Sequence, residues 1–275
     1  MILRRIPGGL VLCVSLWLAG CGPLSQLNSA PQASDPKLAQ EQYRQAMAYA
    51  QGVEVPQDYS RSLSHFLQSA RYGSHNGAYM AGMSYLTGRG TEQNLTEAAR
   101  WLDQAARGGH VRAQYQLSVL YLNGAGVEQD KVWAMFLASL AAHKGHQQAA
   151  FDVGVGYARG MGLPNRPAAA WYWFSQAEFA GIENASKLRR KMQTQSTQAQ
   201  RDLISKRMRL NDSRYPDRAT AQYMQQQLKR MGYLKGVVDG VWGKQSAAAY
   251  EQYTRKELLL TDVAIDWSIL ELMRH

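Results

Sequence analysis

The chain has 275 residues, 45% hydrophobic and 19% charged, enough apolar material to bury a core through most of its length, which excludes a generically disordered protein. Its 31 Lys and Arg against 21 Asp and Glu give a formal charge of +10. That balance favours anionic surroundings but does not separate nucleic acid from anionic membrane or wall polymer.

The first element is a targeting segment over residues 1–20. Arg4 and Arg5 precede an apolar stretch from Ile6 to Ala19 that is too short to span a bilayer. It runs into Leu18-Ala19-Gly20-Cys21, which resembles the lipobox of a bacterial lipoprotein signal peptide. The resemblance implies cleavage before Cys21 and its acylation, with palmitate among the acyl chains. An ordinary cleaved secretory signal is the alternative, and it leaves an unpaired exported cysteine unexplained. Residue 22 is Gly rather than Asp, which under the usual lipoprotein sorting rule implies a lipid anchor in the outer membrane, facing the periplasm. Cys13 leaves with the signal and Cys21 carries lipid, so no disulfide is expected and stability must come from packing. Residues 21–40, with Pro23, Pro31, Pro36 and scattered Ser and Gln, read as a flexible tether.

From there to residue 185 the chain repeats. In the stretch YLNGAGVEQD, Gly124 and Gly126 have the spacing of a phosphate-binding turn, but position 129 is Gln, the lead-in has helical spacing and no third glycine follows. A shift of 36 residues explains them better. Gly52, Gly88, Gly124 and Gly160 align, as do Gly73, Gly109, Gly145 and Gly181, and Tyr49, Tyr85, Tyr121 and Tyr157. Within one unit Ala113, Leu117, Leu120 and Tyr121 form the apolar stripe of one amphipathic helix, and Ala134, Leu137, Ala138 and Ala141 that of a second. Each unit is thus a predicted helix hairpin. Gly124 is placed as the left-handed cap ending the first helix, Asp130 caps the second, and Gly145 closes the unit. Small residues at Gly82, Ser118 and Gly154 let neighbouring helices approach closely.

These residues resemble the Sel-one-like repeat, a 36-residue relative of the tetratricopeptide repeat. The family pattern is met in Ala113, Leu117-Ser118, Tyr121, Gly124-Ala125-Gly126-Val127, Gln129-Asp130, Ala134, Ala141-Ala142 and Gly145, and Trp171 to Phe174 supply its aromatic run in the fourth unit. The first unit departs most, with Glu54 for the second glycine and Ser62 for the alanine, as a terminal repeat does. The resemblance implies an all-α fold, an α-solenoid of four hairpins over residues 41–185 whose concave face binds envelope proteins, and an adaptor rather than a catalyst.

Residues 186–212 read as one or two basic capping helices, broken near Ser196-Thr197. Lys187, Arg189, Arg190 and Lys191 form a candidate patch for an anionic polymer, against the alternative of a solvated outer face. Trp171, Tyr172 and Trp173 could line a groove, but aromatics at these family positions are more often inter-repeat core.

Residues 213–275 carry a different pattern. Met224, Leu228 and Met231 make one helical stripe, an Asp239-Gly240 turn and Gly243 lead to a second helix through Tyr250, and Asp266 caps a third carrying Trp267, Leu270 and Met273. This small three-helix bundle resembles the peptidoglycan-binding-like domain, on Met224-Gln225 with Leu228, Gly232-Tyr233, Asp239-Gly240-Val241-Trp242-Gly243 and Ser246 with Ala249. Its ending departs from that family: Leu258-Leu259-Leu260-Thr261 replaces a second Asp-Gly turn. The resemblance makes Tyr233, Asp239 and Trp242 candidate wall-binding residues, with Asp239 and Trp242 assigned to the fold first.

No catalytic arrangement stands out. The six histidines do not cluster, His110 and His146 share one position in successive turns, and His143 and His146 lack further zinc ligands. The expectation is a non-enzyme with no metal and no cofactor, a periplasmic scaffold that holds a protein partner and touches peptidoglycan. The alternative is an assembly factor for an exopolysaccharide or secretion apparatus without wall binding, and a wall-turnover enzyme ranks last. Export disfavours nucleic acid as a partner.

Overall fold

The 36-residue period becomes four helix hairpins. They are α1 (Pro36–Gln51) with α2 (Tyr59–Arg71), α3 (His75–Thr87) with α4 (Leu95–Arg107), α5 (Val111–Asn123) with α6 (Lys131–His143), and α7 (Gln147–Arg159) with α8 (Pro167–Phe179). Each packs on the next through its second helix, giving an α-solenoid. The computed structural model describes residues 34–209, 218–238, 240, 242–257, 270, 273 and 274. Among them there is no strand, and no helix is long and apolar enough to cross a membrane.

The hairpin turn is built the same way four times. Gly52, Gly88, Gly124 and Gly160 cap the first helices at φ between 67° and 69°, a conformation glycine adopts without the Cβ penalty. The amides of Asp58, Asn94, Asp130 and Arg166 then donate to the carbonyls of Tyr49, Tyr85, Tyr121 and Tyr157 at 2.9–3.0 Å. Gln57, Gln93, Gln129 and Asn165 add a side-chain bond across the same turn. Asp58, Asn94 and Asp130 also cap the second helices by accepting from backbone N–H groups of the first turn. The fourth hairpin differs: Arg166 stands in that place, and no side chain caps α8.

The second glycine of each turn has a separate task. A Cβ on Gly90, Gly126 or Gly162 would lie 2.0–2.3 Å from the backbone of Tyr59, Leu95 or Lys131, at the start of the preceding hairpin's second helix. The first hairpin has no such predecessor among the described residues, and there Glu54 takes the left-handed conformation at φ 65°. The small residues expected at helix crossings hold as well, since Cβ atoms at Gly82 and Gly154 would meet Leu102 and Phe174 at 2.8 Å.

Helix α1 corrects the expected tether. The Asp35 carboxylate accepts from Lys37 and Leu38 N–H, Pro36 occupies the first turn where its missing N–H costs nothing, and the Asp35 amide reaches the Tyr72 carbonyl at 3.2 Å. Residues 36–40 are therefore helix; residues 21–33 lie outside the described part, as does the targeting segment. The basic cap is two helices, α9 (Ala185–Thr194) and α10 (Gln198–Arg209), parted at residues 195–197. The C-terminal module contributes α11 (Arg218–Arg230) and α12 (Lys244–Glu257); of its third helical stripe Leu270 and Met273 are buried, and Asp266 and Trp267 lie outside the described residues.

Helix α6 shows where the module goes. Every residue from Trp133 to Ala142 is buried, whereas α4 buries a single stripe of Ala98, Ala99, Trp101, Leu102, Ala105 and Ala106. A helix apolar on all sides must be covered on all sides. Its neighbouring hairpin helices cover one part and α11 covers the rest.

Candidate functional site

Two surfaces combine chemistry with access. The first is the row of first helices α3, α5 and α7. Tyr79 stacks on His110 with ring centroids 4.4 Å apart, and one period later Tyr115 stacks on His146 at 4.3 Å. The Tyr115 hydroxyl donates to Asp152 at 3.0 Å, and Gln148 donates to the other carboxylate oxygen at 3.2 Å. Tyr79, Tyr115, Met80, Met83 and Phe151 are all half-buried, so the row offers aromatic and thioether surface around a single acid. Burial pushes the Asp152 carboxyl up from its ordinary range despite the bonds from Gln148 and Tyr115, and it raises the Tyr115 hydroxyl further.

His110 and His146 are also helix caps. Their Nδ1 atoms accept from Ala113 and Ala149 N–H at 3.1 and 3.2 Å, the place Ser74 Oγ takes for Gly77 at the start of α3. A protonated ring loses that lone pair and puts a positive charge at a helix N-terminus. Burial, with Arg112 adding to it, lowers both histidine pKa values below 6.5. The unfolded chain therefore takes protons more readily than the folded one, and the stability these caps confer is full above pH 6.5 and lost as pH falls below it. Asp152 acts oppositely, its share being lost as pH rises through its raised pKa. Replacing both histidines by Ser, the residue at position 74, should leave the caps in place. Urea midpoints at about pH 7.5 and about pH 5 should then converge relative to the native protein. An equal drop in both proteins would mean the caps do not titrate.

The second surface is the junction between the third and fourth hairpins and the C-terminal module. Trp133 and Phe136 of α6 pack against Tyr223 of α11, with ring centroids 5.2 and 4.6 Å away. The Tyr157 hydroxyl donates to Gln222, and Gln226 donates to the Gly162 carbonyl at 3.4 Å. Arg274 closes the contact from the chain's far end. Its Nε pairs with Asp130 at 2.8 Å, another guanidinium nitrogen donates to the Tyr121 hydroxyl at 3.1 Å, and the group lies over the Tyr121 and Trp133 rings. The stretch first weighed as a phosphate loop is thus an anchoring point, with Asp130 capping α6 through one oxygen and holding Arg274 through the other. Beside it opens a cleft of 510 Å³ between the fourth hairpin's turn and α11.

The sequence-predicted residues fare differently. Cys21 and Asp239 lie outside the described residues. Trp242 is 8% exposed and packs edge-on against Tyr250 at 6.0 Å, a core position as its first assignment had it, while half-buried Tyr233 packs against Tyr253 at 5.8 Å. In the basic cap Lys187, Arg190 and Lys191 are exposed, but Arg189 is tied to Glu178 and to Gln193. Arg201 is 8% exposed; it donates to the carbonyls of Gln193, in the last turn of α9, and Ser196, in the break after it, and lies over Trp171. Part of that charge run is therefore structural. Trp173 is core, and Trp171 and Tyr172 are half-buried. Among the described residues no three metal-ligating side chains converge. The junction residues Tyr223, Gln222 and Arg274 were missed; the run of α6 from Trp133 to Ala142, apolar but for Ser139, was the signal that something covers it.

The comparisons agree with this architecture. The Sel1 repeat family model matches four times, over residues 42–74, 75–110, 111–146 and 147–178. Among solved structures the chain is similar to the Sel1 repeat protein from Oxalobacter formigenes, with 29% identity and a TM-score of 0.53 over 56% of this chain and 45% of that one. It is similar in fold to c5321, a protective antigen of uropathogenic Escherichia coli strains displaying an SLR fold, with 21% identity and a TM-score of 0.55 over 86% of this chain and 53% of that one. The chain spans about half the length of each. A search of curated proteins finds no match. Residues 42–178 are accordingly four Sel1 repeats, and the chain carries an α-solenoid of the kind that generally mediates protein–protein interaction.

Proposed function

We propose that this protein is a lipid-anchored scaffold of the outer membrane, facing the periplasm, whose concave repeat face holds an envelope protein and whose C-terminal module contacts peptidoglycan. The observation that carries the partner-binding part is the four-unit Sel1 array with its half-buried Tyr79, Tyr115 and Met83 surface. The anchor rests on the Leu18-Ala19-Gly20-Cys21 lipobox, and wall contact on the Gly232-Tyr233 and Asp239-Gly240-Val241-Trp242-Gly243 signature. A photo-crosslinking residue at Met83 in cells should trap one discrete partner, and the same residue at exposed Arg61, on α2, should not. Equal labelling from both positions would count against the repeat face as the docking surface.

The anchor and the wall contact are tested separately. Cys21→Ser should move the protein from the membrane to the soluble fraction; unchanged fractionation would remove the lipid from the account. The full chain should sediment with purified sacculi, and Tyr233→Ala should release it.

A second reading, an assembly factor for an exopolysaccharide or secretion apparatus whose two domains make only protein contacts, draws support from the burial of Trp242 and from the seating of α11 on α6. Genes for synthase or channel components beside this one, together with no sedimentation on sacculi, would favour it.

A further inference from the structure

The cleft beside the junction has two walls of different origin. One is the turn of the fourth hairpin, with Leu163 and Arg166; the other is α11 and the segment after it, with Lys229, Val237 and Val238. Gln226 links the walls through the Gly162 carbonyl. At 510 Å³ the space matches sites for small ligands or chain ends, roughly 300–1,000 Å³. Its lining is mostly apolar, and Val237, 66% exposed, is an aliphatic side chain left open to solvent.

The charge of the cleft has one sign. Arg166 and Lys229 line it, and no acid does so among the described residues. Arg166 occupies the position that Asp58, Asn94 and Asp130 hold in the other hairpins, where those side chains accept from backbone N–H groups at the start of the second helix. In the fourth hairpin the cap is replaced by a cation, so the positive end of α8 and the guanidinium act together. Three hairpins show that the fold accommodates an acid or amide there; the fourth gives up the cap and sets one cation, Arg166, across an apolar cleft from Lys229 of α11.

We infer that this cleft receives the C-terminal end of a protein partner. The free carboxylate is held by Arg166 and Lys229, and the last side chain, an aliphatic or aromatic one, lies among Leu163, Val237 and Val238. One negative charge on an otherwise apolar end is the complement of two cations beside an apolar lining. A small polar anion leaves the apolar lining unused, and an apolar chain without its carboxylate brings no counter-charge to Arg166 or to Lys229, whose ammonium otherwise donates to the Gly236 carbonyl at 3.3 Å. The inference rests on the reading of the chain as a protein binder, and it adds a second point of attachment away from the row of first helices. Because both walls contribute, an occupied cleft also holds the module against the repeats.

The test uses the full chain in detergent and fluorescein-labelled pentapeptides ending in Leu, Val or Phe, followed by anisotropy. Peptides with a free carboxylate should bind about tenfold or more tightly than the same peptides as C-terminal amides. Arg166→Asp, which installs the residue found at positions 58 and 130, should keep the thermal midpoint and weaken binding of the acids by about tenfold or more, with Lys229→Gln intermediate. Equal binding of acid and amide, unaltered binding by Arg166→Asp, or no binding of any free-carboxylate peptide would overturn the proposal. Tighter binding of peptides ending in a D-residue would overturn it in favour of a wall peptide. None of these results touches the crosslink at Met83, so failure here and failure of the repeat face as a docking surface are told apart.

Discussion

Replacing Trp133 by Ala should lower the unfolding free energy by roughly 3–5 kcal/mol, the range for deleting a fully buried large aromatic. It should also loosen the C-terminal module. Trp133 is 1% exposed and meets Phe136 within the repeat, Tyr223 on α11 and the Arg274 guanidinium. Its loss opens a cavity at the joint between the repeats and the module. Trp101 is the control: it is 5% exposed in the second hairpin and bears the Arg100 guanidinium at 4.4 Å. Trp101→Ala should cost a similar amount in urea unfolding while leaving α11 amide exchange close to native, since neighbouring repeats share most of the coupling. Faster α11 exchange in Trp133→Ala alone is the expected pattern. Native-like α11 protection in that variant would mean the module is held by other contacts.

Gly126→Ala should cost about 2–5 kcal/mol, and Gly124→Ala only about 1–2. Both glycines have positive φ, so an alanine is strained at either. They differ in what the new methyl meets. At Gly124 the nearest atom is Gln129 Cβ at 3.3 Å, within the same turn, whereas at Gly126 the methyl lies 2.3 Å from the Leu95 backbone. A shift of a few tenths of an ångström within the turn relieves the first contact, but two packed helices must separate to admit the second methyl. Glu54 supplies the converse. Its left-handed backbone meets no earlier hairpin among the described residues, so Glu54→Gly should stabilise the chain by about 1 kcal/mol, measured by the same unfolding curve. Equal losses for Gly124→Ala and Gly126→Ala would show that backbone conformation, and not contact between repeats, sets the need for the second glycine.

The pair of glycines also marks how far the sequence could be read. Their period identified the hairpins, and the residues around them placed the left-handed cap at Gly124 and the helix cap at Asp130, because those are local consequences of φ and of a nearby carboxylate. The break between α9 and α10 and the small residues at helix crossings were legible for the same reason. Pro36 was misread because proline marks a linker and a first helical turn equally well, and only the Asp35 carboxylate on the following N–H groups decides between them.

What sequence alone determined, then, was what is set by neighbours along the chain: the four repeats and the all-α fold. What tertiary structure decided was everything set by neighbours in space. Only packing shows that Gly126 serves the helix before it, that Arg201 ends α9 instead of joining a charged patch, and that Arg274 returns to Asp130 across 144 positions. The reason is physical. Caps and turns depend on a few consecutive dihedrals, whereas a junction depends on which surfaces meet, and α6, apolar all round, could announce that it had a partner without saying that the partner was α11.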